Sequence, residues 1–167
     1  MPSAASALLV YLAIYVPMTI GSFVAVLMLK DEQGEPIEGI ADLAGLSRTR
    51  PALAWCLMAL MFSLAGIPPL FGFWGKFVVF RAAVEADLVA LAFLGIAASV
   101  IGAYYYIKII KVMFFDDPVD TIQGKSDWMH WALLAICAVF LSPLGYLLTG
   151  VFDTFADGAA AALFPLA

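Results

Sequence analysis

Charged side chains are missing from four long stretches of this chain: before Lys30, between Arg50 and Lys76, between Asp87 and Lys108, and between Asp127 and Asp153. Each gap is at least as long as the roughly 20 apolar residues a helix needs to cross about 30 Å of hydrocarbon. Four spans follow, over about 5–29, 52–84, 88–110 and 129–150. Lipid-exposed backbone must satisfy its own hydrogen bonds, so helices are the default. The stretches lack the alternation of barrel strands. The expected fold class is an all-α integral membrane protein, one membrane segment over 1–167.

Composition agrees. Hydrophobic residues fill 65% of 167 positions and charged residues 13%, with a mean hydropathy of +1.03. Soluble domains carry about 25% charged residues. The net charge of −5 is scattered over connections, and no basic cluster suggests a nucleic-acid partner. Cys56 and Cys137 lie in apolar spans without metal-ligand spacing and read as small hydrophobes. The start, MPSAASALLVYLAIY, has no basic residue, and its apolar run outlasts a cleaved signal, so the first span is expected to be retained.

The polar connections orient the spans. Loops 30–51 and 111–128 hold Lys30, Arg48, Arg50, Lys111 and Lys125, with Lys108 at their edge; the opposite side holds only Arg81. An excess of Lys and Arg marks the cytoplasmic side. This puts both loops in the cytoplasm and both termini on the outer face. The second half of loop 30–51 could hold a short surface helix, and the alanine-rich tail from Asp153, with its late Pro165, a short interfacial one.

The second span contains the sharpest conflict. As one straight helix, 52–84 would measure about 50 Å, well beyond the hydrocarbon. Within it lies SLAGIPPLFGFWGKF, residues 63–77. Pro68 and Pro69 lack N–H groups and crowd the carbonyls four residues earlier, and Ile67 and Pro68 are pushed from the α region by the proline that follows each. Gly66 and Gly72 permit a turn. Two half-helices joined by an unwound piece are expected, broken over Gly66–Gly72. Such breaks are tolerated at membrane depth where protein or a water-filled cavity covers them, and transporters use them at ion sites.

Lys76 follows the break, about 13 Å of helix from Glu85, which puts it near mid-membrane. A central lysine costs about 2.5–3.5 kcal/mol on insertion scales. Neutralising it at pH 7 costs about 4.6 kcal/mol from a reference pKa near 10.4. The penalties are comparable, so a nearby charge or water could change its protonation, as a proton relay requires. The alternatives are a snorkelling or structurally paired lysine and a packing kink. Gly72 and Gly75 leave space beside it for water or another backbone. Phe73, Phe77 and Phe80 form an aromatic stripe read as packing, as do the small residues Gly95, Ser99 and Gly102. Lys108, beside Tyr104, Tyr105 and Tyr106, is a candidate for the proton path against an ordinary interfacial anchor. His130, with Trp128 and Trp131, also reads as an anchor, and Ser63, Thr19 and Pro17 have no evident partner. No Asp or Glu lies inside a span.

DLAGLSRTRP, SLAGIPPLFGFWGKF and ASVIGAYYYIKIIKVMFF together resemble the subunit N family of respiratory complex I, the proton-translocating NADH:quinone oxidoreductase. The Gly-Ile-Pro-Pro break with Gly-Lys-Phe is shared with related antiporter-like subunits, and the tyrosine run tilts the likeness to subunit N. The resemblance covers nearly the whole chain and matches the last four helices, the C-terminal third, of an antiporter-like bundle. It implies a bacterial inner-membrane subunit that moves protons using NADH-to-quinone electron transfer. NADH, flavin, iron–sulfur clusters and quinone would lie in other subunits, with no cofactor or metal here. It also implies that Lys76 belongs to a chain of protonatable residues whose other members, in the first bundle, have no counterpart in this sequence. The expected partners are lipid, other membrane subunits of complex I and the missing N-terminal part of this subunit, of which this chain would be a fragment. A subunit of a multi-subunit cation/proton antiporter and a structural or assembly segment are the alternative readings.

Overall fold

A computed structural model describes residues 4–119 and 127–163. Lys125 and Pro165, which entered the reading above, lie outside them. The described residues form helices α1 (Ala4–Leu27), α2 (Leu46–Thr49), α3 (Pro51–Ala65), α4 (Phe71–Glu85), α5 (Val89–Phe115), α6 (Trp128–Leu141) and α7 (Thr149–Leu163), with two 3-10 turns and no strand among them. The all-α fold with a discontinuous second span is what the structure contains. α1 and α5 are each long and apolar enough to cross a membrane, and α6 with the Pro143–Leu163 segment is long and apolar enough for a further span if the bent pair is counted as one.

α1 lies at the centre and packs against α3, α4, α6 and α7, while α5 packs against α3 and α4. Small residues allow this. A Cβ on Gly21 of α1 would stand 2.8 Å from Leu60 Cδ2 and 2.9 Å from Cys137 Cβ, so α1, α3 and α6 meet there at closest approach. Ile14, Met18, Leu53, Leu60, Leu134 and Leu141 fill the seam and are fully buried. By contrast, α5 presents Phe93, Leu94, Val100, Ile101, Tyr104 and Tyr105 outward. Gly95 of its small-residue face abuts Phe80, but Gly102 meets nothing within 4 Å. Of the two glycines expected to mark a close helix contact, Gly95 makes one and Gly102 does not.

At one end of the bundle, the short α2 seen within loop 30–51 sits beside the end of α5. Gly45 donates to the Val112 carbonyl, and Val119 donates to that of Ala44. The two basic connections therefore share one face of the molecule. α5 runs to Phe115, past the expected end at 110, carrying Lys108 and Lys111 on its last turns.

The helix expected over 129–150 ends at Leu141, and the chain bends by 67° into the segment that leads to α7. The cause is Pro143, which cannot donate to the carbonyl of Val139 four residues back. The Ser142 hydroxyl donates to it instead at 2.6 Å. Gly145, just beyond, touches the Phe71 ring.

Candidate functional site

The two prolines determine what Lys76 meets. In a continuous helix the N–H of residue 68 would bond the carbonyl of Leu64, and that of residue 69 the carbonyl of Ala65. Pro68 and Pro69 have no N–H, so both carbonyls lose their partners. Upstream, the end of α3 closes normally. Gly66 takes φ +80°; its N–H reaches the Ser63 carbonyl at 3.0 Å, and Ile67 N–H reaches that of Phe62 at 3.1 Å. This is the Schellman pair of bonds that a left-handed glycine allows. Leu64 and Ala65 remain, and Lys76 supplies what they lack: its Nζ donates to Leu64 O at 2.8 Å and Ala65 O at 3.2 Å.

The rest of the break is tied on the opposite side. Leu70 O accepts the Tyr146 hydroxyl at 3.2 Å and the Phe73 N–H at 3.1 Å. Phe71, the first residue of α4, is fully buried and touches the rings of Phe140, Tyr146 and Phe152. At membrane depth the gain comes from close packing rather than from leaving water, and these ring contacts anchor α4 on the α6–α7 bend. The unwound piece thus covers residues 66–70. Gly72, expected within it, belongs to α4 and serves close approach rather than turning: a Cβ there would run into the Ser63 carbonyl and hydroxyl. The space at Gly75 is taken by Ile14 and Tyr11 of α1.

Lys76 is half-buried and faces a cavity of about 750 Å3 between α4 and α5. Phe73, Phe77 and Phe80 line it: Phe77 stacks with both Phe73 and Trp74, and Phe80 abuts Gly95, so the aromatic stripe packs along α4 while its outer side borders the cavity. Ser99 of α5 and the Arg81–Glu85 pair, 2.8 Å apart, complete its polar lining. Lys76 has no ion pair among the described residues.

The structure does not bring Lys108 to this site. It is exposed and does not line the cavity. At about 100° per residue it sits roughly 80–180° around α5 from the lining residues Ile96, Ser99, Val100 and Ala103. His130 stands 3.9 Å from Asp127 at the start of α6, remote in the chain from the break. Thr19 and Ser22 bond back to α1 carbonyls.

Ser63 is the residue that sequence reasoning passed over. It is fully buried, and its Oγ accepts the Gly72 N–H at 3.0 Å. The available signal was Ser63 in the last turns of a half-helix, before a break whose far side opens with Leu70, which cannot cap. Among the described residues, no three His, Cys, Asp or Glu side chains converge to hold a metal.

This architecture has known counterparts. The chain is 71% identical over 159 residues to NADH-quinone oxidoreductase subunit N of Erythrobacter litoralis, with 95% of this chain aligned to 33% of the relative. It superposes on a chain of respiratory complex I from Thermus thermophilus (a structure with bound aureothin) with a TM-score of 0.74 and 34% identity, over 90% of this chain and 34% of that one. A chain of the Mrp complex from Dietzia shares the fold, with a TM-score of 0.71 at 20% identity over 97% of this chain and 38% of that one. The chain thus spans about a third of the length of the proteins it matches. Residues 2–102, more than half of it, match the family described as NADH:quinone oxidoreductase/Mrp antiporter, TM, and the chain belongs to that family.

Proposed function

We propose that this chain forms part of a proton-translocating membrane subunit of an NADH:quinone oxidoreductase, with Lys76 as a station at which a proton pauses. The observation that carries the reading is the Lys76 ammonium seated on the carbonyls of Leu64 and Ala65 at a proline-made helix break. The level of identity to subunit N and to complex I favours the redox-driven enzyme over a cation/proton antiporter, since the Mrp likeness rests on fold alone.

The arrangement suits a group that must exist in two protonation states. An ammonium has three N–H donors and a neutral amine has two donors and one lone pair. Two carbonyls can therefore hold the nitrogen in either state, since a carbonyl accepts from charged and neutral donors alike. The third position, directed away from both carbonyls, is where the proton arrives or leaves. A carboxylate partner would instead favour the charged form strongly; carbonyl dipoles stabilise it less and leave exchange accessible. The neighbouring cavity is mostly apolar, with Ser99 and the Arg81–Glu85 pair along its wall.

Within this reading the protein lies in the bacterial inner membrane, with loops 30–51 and 111–128 in the cytoplasm and both termini on the periplasmic face. Its partners are other membrane subunits of complex I and the remainder of its own subunit, which would supply the next protonatable groups. NADH oxidation and quinone reduction occur in other subunits, and this chain contributes proton movement. In an assembled complex, Lys76→Ala should reduce proton pumping coupled to quinone reduction. Undiminished pumping in that variant would sink the assignment.

A further inference from the structure

We propose that Ser63 is a positioning residue for Lys76: its hydroxyl caps the first turn of α4 from the neighbouring helix and so sets where the lysine stands against the carbonyls of Leu64 and Ala65. The proposal rests on the reading of Lys76 as a proton station. The opening N–H groups of a helix have no intrahelical acceptor, and they normally find one on the residue just before the helix. Here that residue is Leu70, which has no side-chain acceptor, and Ser63 accepts the Gly72 N–H at 3.0 Å instead. The serine is completely buried, and its own proton faces Met18 Sδ at 3.4 Å. One hydroxyl therefore ties α1, α3 and α4 together.

Its place in the chain makes that tie relevant to the lysine. Ser63 directly precedes Leu64 and Ala65. Gly72 stands four residues before Lys76, one turn away on the same face of α4. The Ser63–Gly72 bond and the Lys76–carbonyl bonds are two rungs across a single gap. The lysine rung hangs on a long side chain with four rotors and tolerates sliding. The serine rung joins a short side chain to the backbone, so it fixes the register of α4 against the end of α3. Without it, the Lys76 nitrogen would lose its defined position between the two carbonyls.

The test is made in inverted membrane vesicles containing the assembled complex, for Ser63→Ala, Ser63→Cys (similar in volume, a weak acceptor), Ser63→Thr (hydroxyl kept) and Lys76→Met. The expected result is a fall of about fivefold, the factor set by one net hydrogen bond, in NADH-driven proton uptake per assembled complex for Ser63→Ala and Ser63→Cys. The KM values for NADH and quinone should be unchanged, and Ser63→Thr should recover most of the loss. Wild-type uptake per complex in Ser63→Ala overturns the proposal, as does a loss that merely follows a reduced amount of complex. Lys76→Met separates the two levels. Normal pumping there refutes the reading of the lysine, whereas lost pumping there beside normal Ser63→Ala refutes the serine's role alone.

Discussion

Gly72 and Gly75 stand three residues apart on α4, and the same substitution should have opposite effects at the two. At Gly72 an alanine Cβ would lie 2.5 Å from Ser63 Oγ and 2.8 Å from the Ser63 carbonyl carbon. A comfortable contact is about 3.5 Å, so the start of α4 must retreat by roughly 1 Å. That retreat stretches the Gly72–Ser63 bond from 3.0 Å to about 4 Å, beyond hydrogen-bond range. Overpacking of this kind costs about 1–3 kcal/mol, and a buried polar group left without a partner costs about 1–3 kcal/mol more. The gain from replacing a helical glycine, about 0.5–1 kcal/mol, offsets little of this, leaving a net loss of about 1–5 kcal/mol. At Gly75 the added methyl would meet Ile14 Cδ1 at 3.4 Å and Tyr11 Cδ2 at 3.5 Å, both ordinary contacts with side chains. There the helical gain should survive, and Gly75→Ala should be neutral or stabilising by up to about 1 kcal/mol. The assay is the amount and the thermal inactivation midpoint of the assembled, purified complex for each variant. Gly72→Ala should lower both and Gly75→Ala neither; equal behaviour of the two would refute the close approach of α4 to α3 described above.

Other expectations follow from the same geometry. Phe71→Ala empties a fully buried ring site among Phe140, Tyr146 and Phe152 and should cost about 3–5 kcal/mol, read as poor assembly. Tyr146→Phe removes one of two donors to Leu70 O and should cost only about 0.5–1.5 kcal/mol, visible as a small drop in the inactivation midpoint. Lys108→Ala, on an exposed face away from the cavity, should leave pumping unaltered in the vesicle assay. For orientation, a membrane-impermeant maleimide applied to intact spheroplasts should label Ala86→Cys and spare Gln33→Cys; the reverse pattern would invert the proposed topology.

Much of the fold was readable because charge is so costly in lipid that its absence outlines the spans. The break at Pro68 and Pro69 was readable for a related reason: missing N–H groups cannot be hidden, and residues 64 and 65 follow by counting back four. What the lysine does with those carbonyls was not readable, since it requires the first turns of α4 to lie against the last turn of α3 across the break, a tertiary outcome to which Phe71 and the α6–α7 bend contribute. That bend was itself overlooked, although Pro143 carries the same chemistry as Pro68, because the run around it holds no charge to draw attention. The small-residue face of α5 was readable in part: Gly95 abuts Phe80, while a Cβ on Gly102 would meet nothing within 4 Å among the described residues. Ser63 was silent because its partner, Gly72, lies across the break, where helical periodicity has no meaning.

The central claim is that Lys76 exchanges a proton during turnover rather than merely pinning the two half-helices together. The most direct measurement is the ratio of protons moved to NADH oxidised in closed vesicles containing Lys76→Met at wild-type levels of assembled complex. The predicted result is a clearly lower ratio. A ratio equal to that of the wild type would show that the lysine is only a structural tie.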